Sequence, residues 1–182
     1  MPVFEISLFL IALVYFGWKF SSLAGRLDRT HIRRDNLLNS LRQYLAIRAT
    51  CVARLVASGK LDESIAGKLK VALEDLLIAS EKSFRDYLSA ESELSGLLFD
   101  LFEEESDIKD LMTSTNGATL IFDLARASKR IQLARRFHND AVGASQLLHA
   151  RTAVRLFRLA GHTKVPTTVD IDDRVPNALK LM

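Results

Sequence analysis

One cysteine and three prolines are all that this 182-residue chain has of the residues that cross-link a fold or remove a backbone donor from regular structure. Between Pro2 and Pro166, 163 consecutive positions carry no proline. That absence excludes a turn-rich all-β protein and fits long helices. Cys51, alone, excludes an intrachain disulfide framework or a cysteine-rich metal site, and beside Val52 and Leu55 it reads as a small buried hydrophobe. Chemical motifs are equally scarce. The chain contains no glycine-rich phosphate loop, no Gly-x-Ser-x-Gly elbow and no His-Glu-x-x-His. None of His31, His138, His149 and His162 has a glutamate three positions earlier, the spacing a di-iron helical bundle needs. The chain is therefore read as a non-enzyme, with no cofactor, no metal and no identifiable small-molecule substrate; the alternative from another class is an unrecognised membrane-associated hydrolase, whose scattered residues no sequence motif would reveal.

What is present is apolar content and charge in blocks. With 48% hydrophobic and 26% charged residues, the chain has enough apolar side chains for one core and is not generally disordered. The net charge of +3 is a balance of three segments, +7 over positions 19–60, −9 over 61–112 and +6 over 113–182, with Glu5 supplying the remaining −1. A nucleic-acid-binding protein more often shows one unneutralised basic face, so no nucleic-acid partner is expected. Alternating blocks suit helices folded side by side.

Positions 6–18 carry no charge, and extending the run to 3–23 admits only Glu5 and Lys19. About twenty apolar residues cross a bilayer core, and Lys19 could reach the headgroups at the exit. An anchor over 1–24 is expected. A soluble helix packed in the chain's own core is one alternative, and a cleaved signal with Ser22-x-Ala24 as its processing site is another, although the basic leader of such signals is missing. Lys19, Arg26, Arg29, Arg33 and Arg34 all follow the run, so the flanking charge predicts an outside N-terminus and a cytoplasmic C-terminal domain on a single-pass cell-membrane protein.

Beyond the anchor, Leu27, His31, Arg34, Leu38, Leu41, Leu45, Arg48, Val52 and Leu55 alternate spacings of four and three, the seam of a packing or coiled-coil helix with three polar interruptions. This first helix is expected to run unbroken to Ala57, with Gly59 in the left-handed conformation and Asp62 capping the next. A second helix of roughly forty residues would then continue to Leu101, with Glu103, Glu104 and Glu105 marking its end. After a linker over 110–114, Asn116 is expected to cap a third helix that carries Leu120, Leu124, Ala127, Ile131, Ala134 and Val142. Arg151, Arg155 and Arg158 form one face of a short basic helix ending at Gly161, which either caps the bundle or binds lipid. The fold class is all-α: an anchor helix over 1–24, an antiparallel three- to four-helix bundle over 25–161, and an extended or disordered tail over 162–182.

Two stretches, Ala90-Glu91-Ser92-Glu93-Leu94-Ser95-Gly96 and the run from Ile131 through Arg135-Arg136-Phe137-His138-Asn139-Asp140 to Val142, resemble the paired signatures of the LemA family. Arg33-Arg34-Asp35-Asn36-Leu37-Leu38 is similar to the segment with which that family leaves its anchor helix, and Ser106-Asp107-Ile108-Lys109 to its interhelical linker. The likeness extends from the anchor to about Gly161. His138 replaces the family's usual tyrosine, Ser145-Gln146 replaces a Tyr-Asn repeat, and a Phe-Pro break is absent, so the resemblance is to a divergent branch. It implies a membrane helix leading into a long antiparallel bundle and supplies no reaction. The expected role is a scaffold or adaptor whose partners are the lipid bilayer and either a membrane protein or copies of itself.

The candidate site is a polar network. If the first two helices fold back at Gly59, facing residues have numbers summing to roughly 120. Arg34 then meets the neighbourhood of Asp86, and the membrane-proximal arginines that of Glu91 and Glu93. The expectation is that Arg33 or Arg34, an acid among Asp86, Glu91 and Glu93, and a polar group among Arg135, Arg136, Asn139 and Asp140 set the register of the bundle. The same groups could instead serve a partner. Arg136 and Asp140, four apart, can pair on one helical face.

Overall fold

The computed structural model describes residues 2–150 and 167–180, and among them every regular element is a helix. The first, α1 (Pro2–Ala57), is unbroken for 56 residues. It ends as its sequence predicts: Gly59 has φ +65°, the left-handed region where a Cβ is unfavourable. Then follow α2 (Glu63–Lys82), α3 (Phe84–Leu101), α4 (Glu105–Met112), α5 (Thr115–His149) and a last turn, α6 (Asn177–Lys180). Asp62 is the N-cap of α2, although its side chain makes no capping hydrogen bond.

The forty-residue second helix is in fact two helices. Ser83 between them is extended, with φ −156° and ψ 159°. Its Oγ accepts from the Asp86 N–H at 3.1 Å and donates to the Asp86 carboxylate at 2.7 Å. This Ser-x-x-Asp box satisfies an otherwise orphaned donor at the start of α3, and that local gain competes with continuing the helix. Similarly α5 begins at Thr115 rather than after Asn116, because Ser114 Oγ accepts from the Gly117 N–H at 3.2 Å. Glycine is required at 117, since a Cβ there would run into the Leu111 carbonyl.

The chain divides into two compact units, 1–37 with 138–168, and 38–137 with 169–182. In the second, α2 and α3 pack as an antiparallel hairpin, and Leu69, Leu76, Leu94, Leu98, Phe102, Ile121 and Leu124 form one core with Val52 and Leu55 of α1. A second cluster joins Leu41, Leu45, Ile131 and Ala134 to Val169 and Ile171. Residues 167–176 are non-helical, as an extended tail would be, yet Val169, Ile171, Val175, Ala178 and Leu179 are all buried. Residues 169–179 are thus part of these two clusters, which corrects the expectation of an extended or disordered end over that stretch. Cys51 is buried and free; burial, followed by the Asp123 charge, pushes its thiol pKa up.

In the first unit, positions 4–19 of α1 are exposed on every side of the helix. Among the described residues no helix is long and apolar enough to cross a membrane. The basic helix expected over 151–161 and the start of the tail lie outside the described residues. The expected boundary at 24/25 also differs from that of the compact units, which falls at 37/38.

Candidate functional site

The register of the second unit follows from the break at Ser83. Because α2 runs antiparallel to α1 and α3 turns back again, α3 runs parallel to α1. Facing residues are therefore related by a constant offset and not by a constant sum. Arg48 meets Glu91, 43 positions later. The same offset relates Leu41 to Phe84 and Leu45 to Leu88, which share one apolar cluster. The expected meeting of Arg34 with Asp86, and of the membrane-proximal arginines with Glu91 and Glu93, is corrected accordingly.

Arg48 and Glu91 are buried, 2% and 0% exposed, in a seam otherwise built of aliphatic side chains. Arg48 Nη2 donates to Glu91 Oε2 at 2.5 Å and to the Glu91 carbonyl at 3.2 Å. Tyr87 donates its hydroxyl proton to Glu91 Oε1 at 2.7 Å, and Ser95 Oγ donates to the same carbonyl at 2.9 Å. Both carboxylate oxygens are therefore occupied, whereas the Arg48 Nε–H has no hydrogen-bond partner. Burial, reinforced by the Glu91 charge and by the hydrogen bond to it, drives the Tyr87 phenol well above its usual range, so the proton stays on Tyr87. The cluster is a buried ion pair.

A second polar group anchors the tail. Arg135 Nε donates to Asp173 Oδ2 at 2.6 Å, and Gln132 Nε2 to the Asp173 carbonyl at 2.7 Å. Across the segment, the Asp172 N–H donates to Ser92 Oγ at 3.1 Å. Arg174 hydrogen-bonds the Asp172 carboxylate, which holds that carboxyl below its ordinary range despite some burial, and its guanidinium lies 4.8 Å from the Phe99 ring.

Of the expected network residues, Glu91 and Arg135 enter buried or partly buried polar contacts, each with a partner the sequence reading had not assigned. Asp86 caps α3. Arg34 pairs with its neighbour Asp35 at 2.7 Å. Arg33, Glu93, Arg136 and Asp140 are exposed, and Asn139 is half-buried. Arg48 was legible as a polar interruption of the four-three seam, a position facing the bundle interior by spacing alone; its partner was not.

In the first unit His138 is 2% exposed and its Nδ1 has no hydrogen-bond partner, and Ser145 Oγ, two turns further along α5, is likewise buried and unpartnered. Burial lowers the His138 pKa, opposed first by a hydrogen bond to the Arg34 backbone. A histidine whose folded pKa lies below its ordinary 6.5 binds fewer protons folded than unfolded, so stability is retained above pH 6.5 and declines as pH falls below it. Denaturation midpoints measured from about pH 7.5 to 5.5 should fall more steeply in the wild type than in His138→Gln; equal slopes would refute a buried neutral imidazole.

The grooves of the second unit are open. One of about 680 Å³ lies between α1 and α2, and another of about 410 Å³ between α1 and α5, rimmed by Arg54, Arg126 and Arg130. Asp123 takes up part of that charge, at 3.8 Å from Arg54 and 3.2 Å from Arg126. Among the described residues no cluster of three or more histidine, cysteine or acidic side chains is arranged to hold a metal ion. Compared with family models, with curated proteins and with solved structures, the chain gives no match to any of the three.

Proposed function

We propose that this chain is a membrane-tethered helical scaffold or adaptor of the LemA kind, its N-terminal helix inserted in the cell membrane as a single pass and its bundle presented on the cytoplasmic face. The observation that carries the reading is the surface of α1. Phe9 on one face and Ile11, Val14 and Trp18 on the opposite face are 66–71% exposed, and Phe4, Ile6, Leu8, Leu10, Leu13, Tyr15 and Phe16, exposed with them, cover the sides between. A soluble helix packed in its own core would hide at least one face; this one hides none among positions 4–19. An uninterrupted apolar surface of that kind needs a solvent other than water. Positions with described side chains fall short of a full span, and the sequence extends the run with Val3, Phe20 and Leu23.

Lys19, whose ammonium is 5.7 Å from the Tyr15 ring centre, stands at the exit of the run, and the basic residues after it favour retention inside. A tether raises local concentration in two dimensions, so the bundle can act through modest contacts with copies of itself or with another membrane protein. The two LemA-like signatures support the same plan.

Fractionation tests it. The protein should stay in the pellet through alkaline carbonate and be released by detergent, and protease added to intact cells should spare the bundle. Release by carbonate alone would remove the anchor, and digestion of the bundle in unpermeabilised cells would reverse the orientation.

A further inference from the structure

We propose that the groove between α1 and α2 binds a free single-chain amphiphile with a carboxylate head, its head at Arg42 and its alkyl chain directed toward Ala53. The groove is about 680 Å³ and has Arg42 and Phe84 at one end and Ala53 and Leu73 at the other. Along α1 that is ~16 Å, enough for a saturated chain of about a dozen carbons. Its walls are mostly alanine and leucine side chains, among them Leu77, which is 69% exposed. No acid lines it.

The hydroxyls on its walls have already used their protons. Thr50 Oγ1 donates to the Ala46 carbonyl at 2.9 Å, Ser80 Oγ to the Leu77 carbonyl at 2.7 Å and Tyr87 to Glu91 at 2.7 Å. Only Arg42 offers donors to a ligand. Its guanidinium is held 4.3 Å from the Phe84 ring centre and makes no ion pair among the described residues, so a planar cation is positioned at one end of an otherwise apolar slot. That distribution matches one anionic acceptor on one apolar chain and disfavours a cationic or polyhydroxylated ligand. It does not depend on the membrane reading, since Arg42 and the groove belong to the second unit.

The test uses the full chain in lipid vesicles with a diazirine-bearing dodecanoate, the label being mapped by peptide mass spectrometry. Label is expected on the peptides carrying Ala46, Ala53, Leu73 and Ser80, displaced by laurate but not by dodecyltrimethylammonium. Arg42→Glu should cut this labelling about tenfold, as loss of one charge-assisted contact predicts. Ala53→Phe, at an exposed helical position, should block the slot with helicity by circular dichroism unchanged. Label confined to positions 4–18 would mean uptake from the bilayer and would overturn the proposal. So would groove labelling that survives Arg42→Glu or is displaced equally by the cationic competitor, which would leave an apolar surface for a protein helix.

Discussion

Replacing Arg48 by alanine is expected to cost about 3–5 kcal/mol, because it leaves the Glu91 carboxylate buried without its counter-charge. Glu91 is fully buried and one of its oxygens would retain only the Tyr87 hydroxyl. The reverse truncation, Glu91→Ala, should be comparably harmful, since it strands a guanidinium that already has an unpartnered Nε. The double replacement Arg48→Met with Glu91→Leu should recover most of the loss, as exchanging a buried ion pair for apolar groups of similar volume is often neutral or stabilising. Urea denaturation of the wild type, Arg48→Met, Glu91→Leu and the double variant forms a double-mutant cycle. Additive losses would show that the two charges act independently. Arg34→Ala, whose pair with Asp35 is partly exposed, should by contrast change stability by no more than about 1 kcal/mol.

Ending the chain after Thr168 is expected to abolish cooperative unfolding of the second unit. The deleted segment buries Val169, Ile171, Val175 and Leu179, at 6%, 6%, 2% and 0% exposure. At ~1.5–3 kcal/mol for each fully buried side chain, the loss is about 6–12 kcal/mol as an upper estimate, comparable to the whole stability of a typical domain. The Asp173 contacts to Arg135 and Gln132 disappear as well. Arg135→Gln alone, at a partly exposed pair, should be mild, which separates tail packing from tail pairing. A truncated chain that melts within about 1 kcal/mol of the full-length protein would show that the tail covers a core already complete without it.

Local rules carried much of this. The length of α1, its end at Gly59, the boundary at the acidic run and the inward positions from Leu41 to Leu55 all follow from periodicity and end signals, which depend only on near neighbours along the chain. The Ser83-Phe84-Arg85-Asp86 capping box was also written in the sequence. It is short and lies inside a continuous apolar stripe, so helical periodicity passes over it. That one break decides the site. With α3 reversed, Glu91 faces Arg48 and not an arginine nearer the N-terminus, and Asp86 is committed to its own helix end.

The sequence by itself determined the all-helical fold class, a polar interruption at Arg48 inside an aliphatic seam, and an uncharged N-terminal run over positions 6–18. Only the tertiary structure decided which acid meets Arg48, that His138 and Ser145 are buried, and that residues 169–179 complete a core. The physical reason is reach. A helix and its caps arise within a few residues, whereas the partner of a buried charge depends on the direction in which a segment 43 positions away returns. The tail carries no helical period to announce itself: Val169 and Ile171 alternate with Asp170 and Asp172, and only the surface they meet distinguishes a packed strap from an extended end.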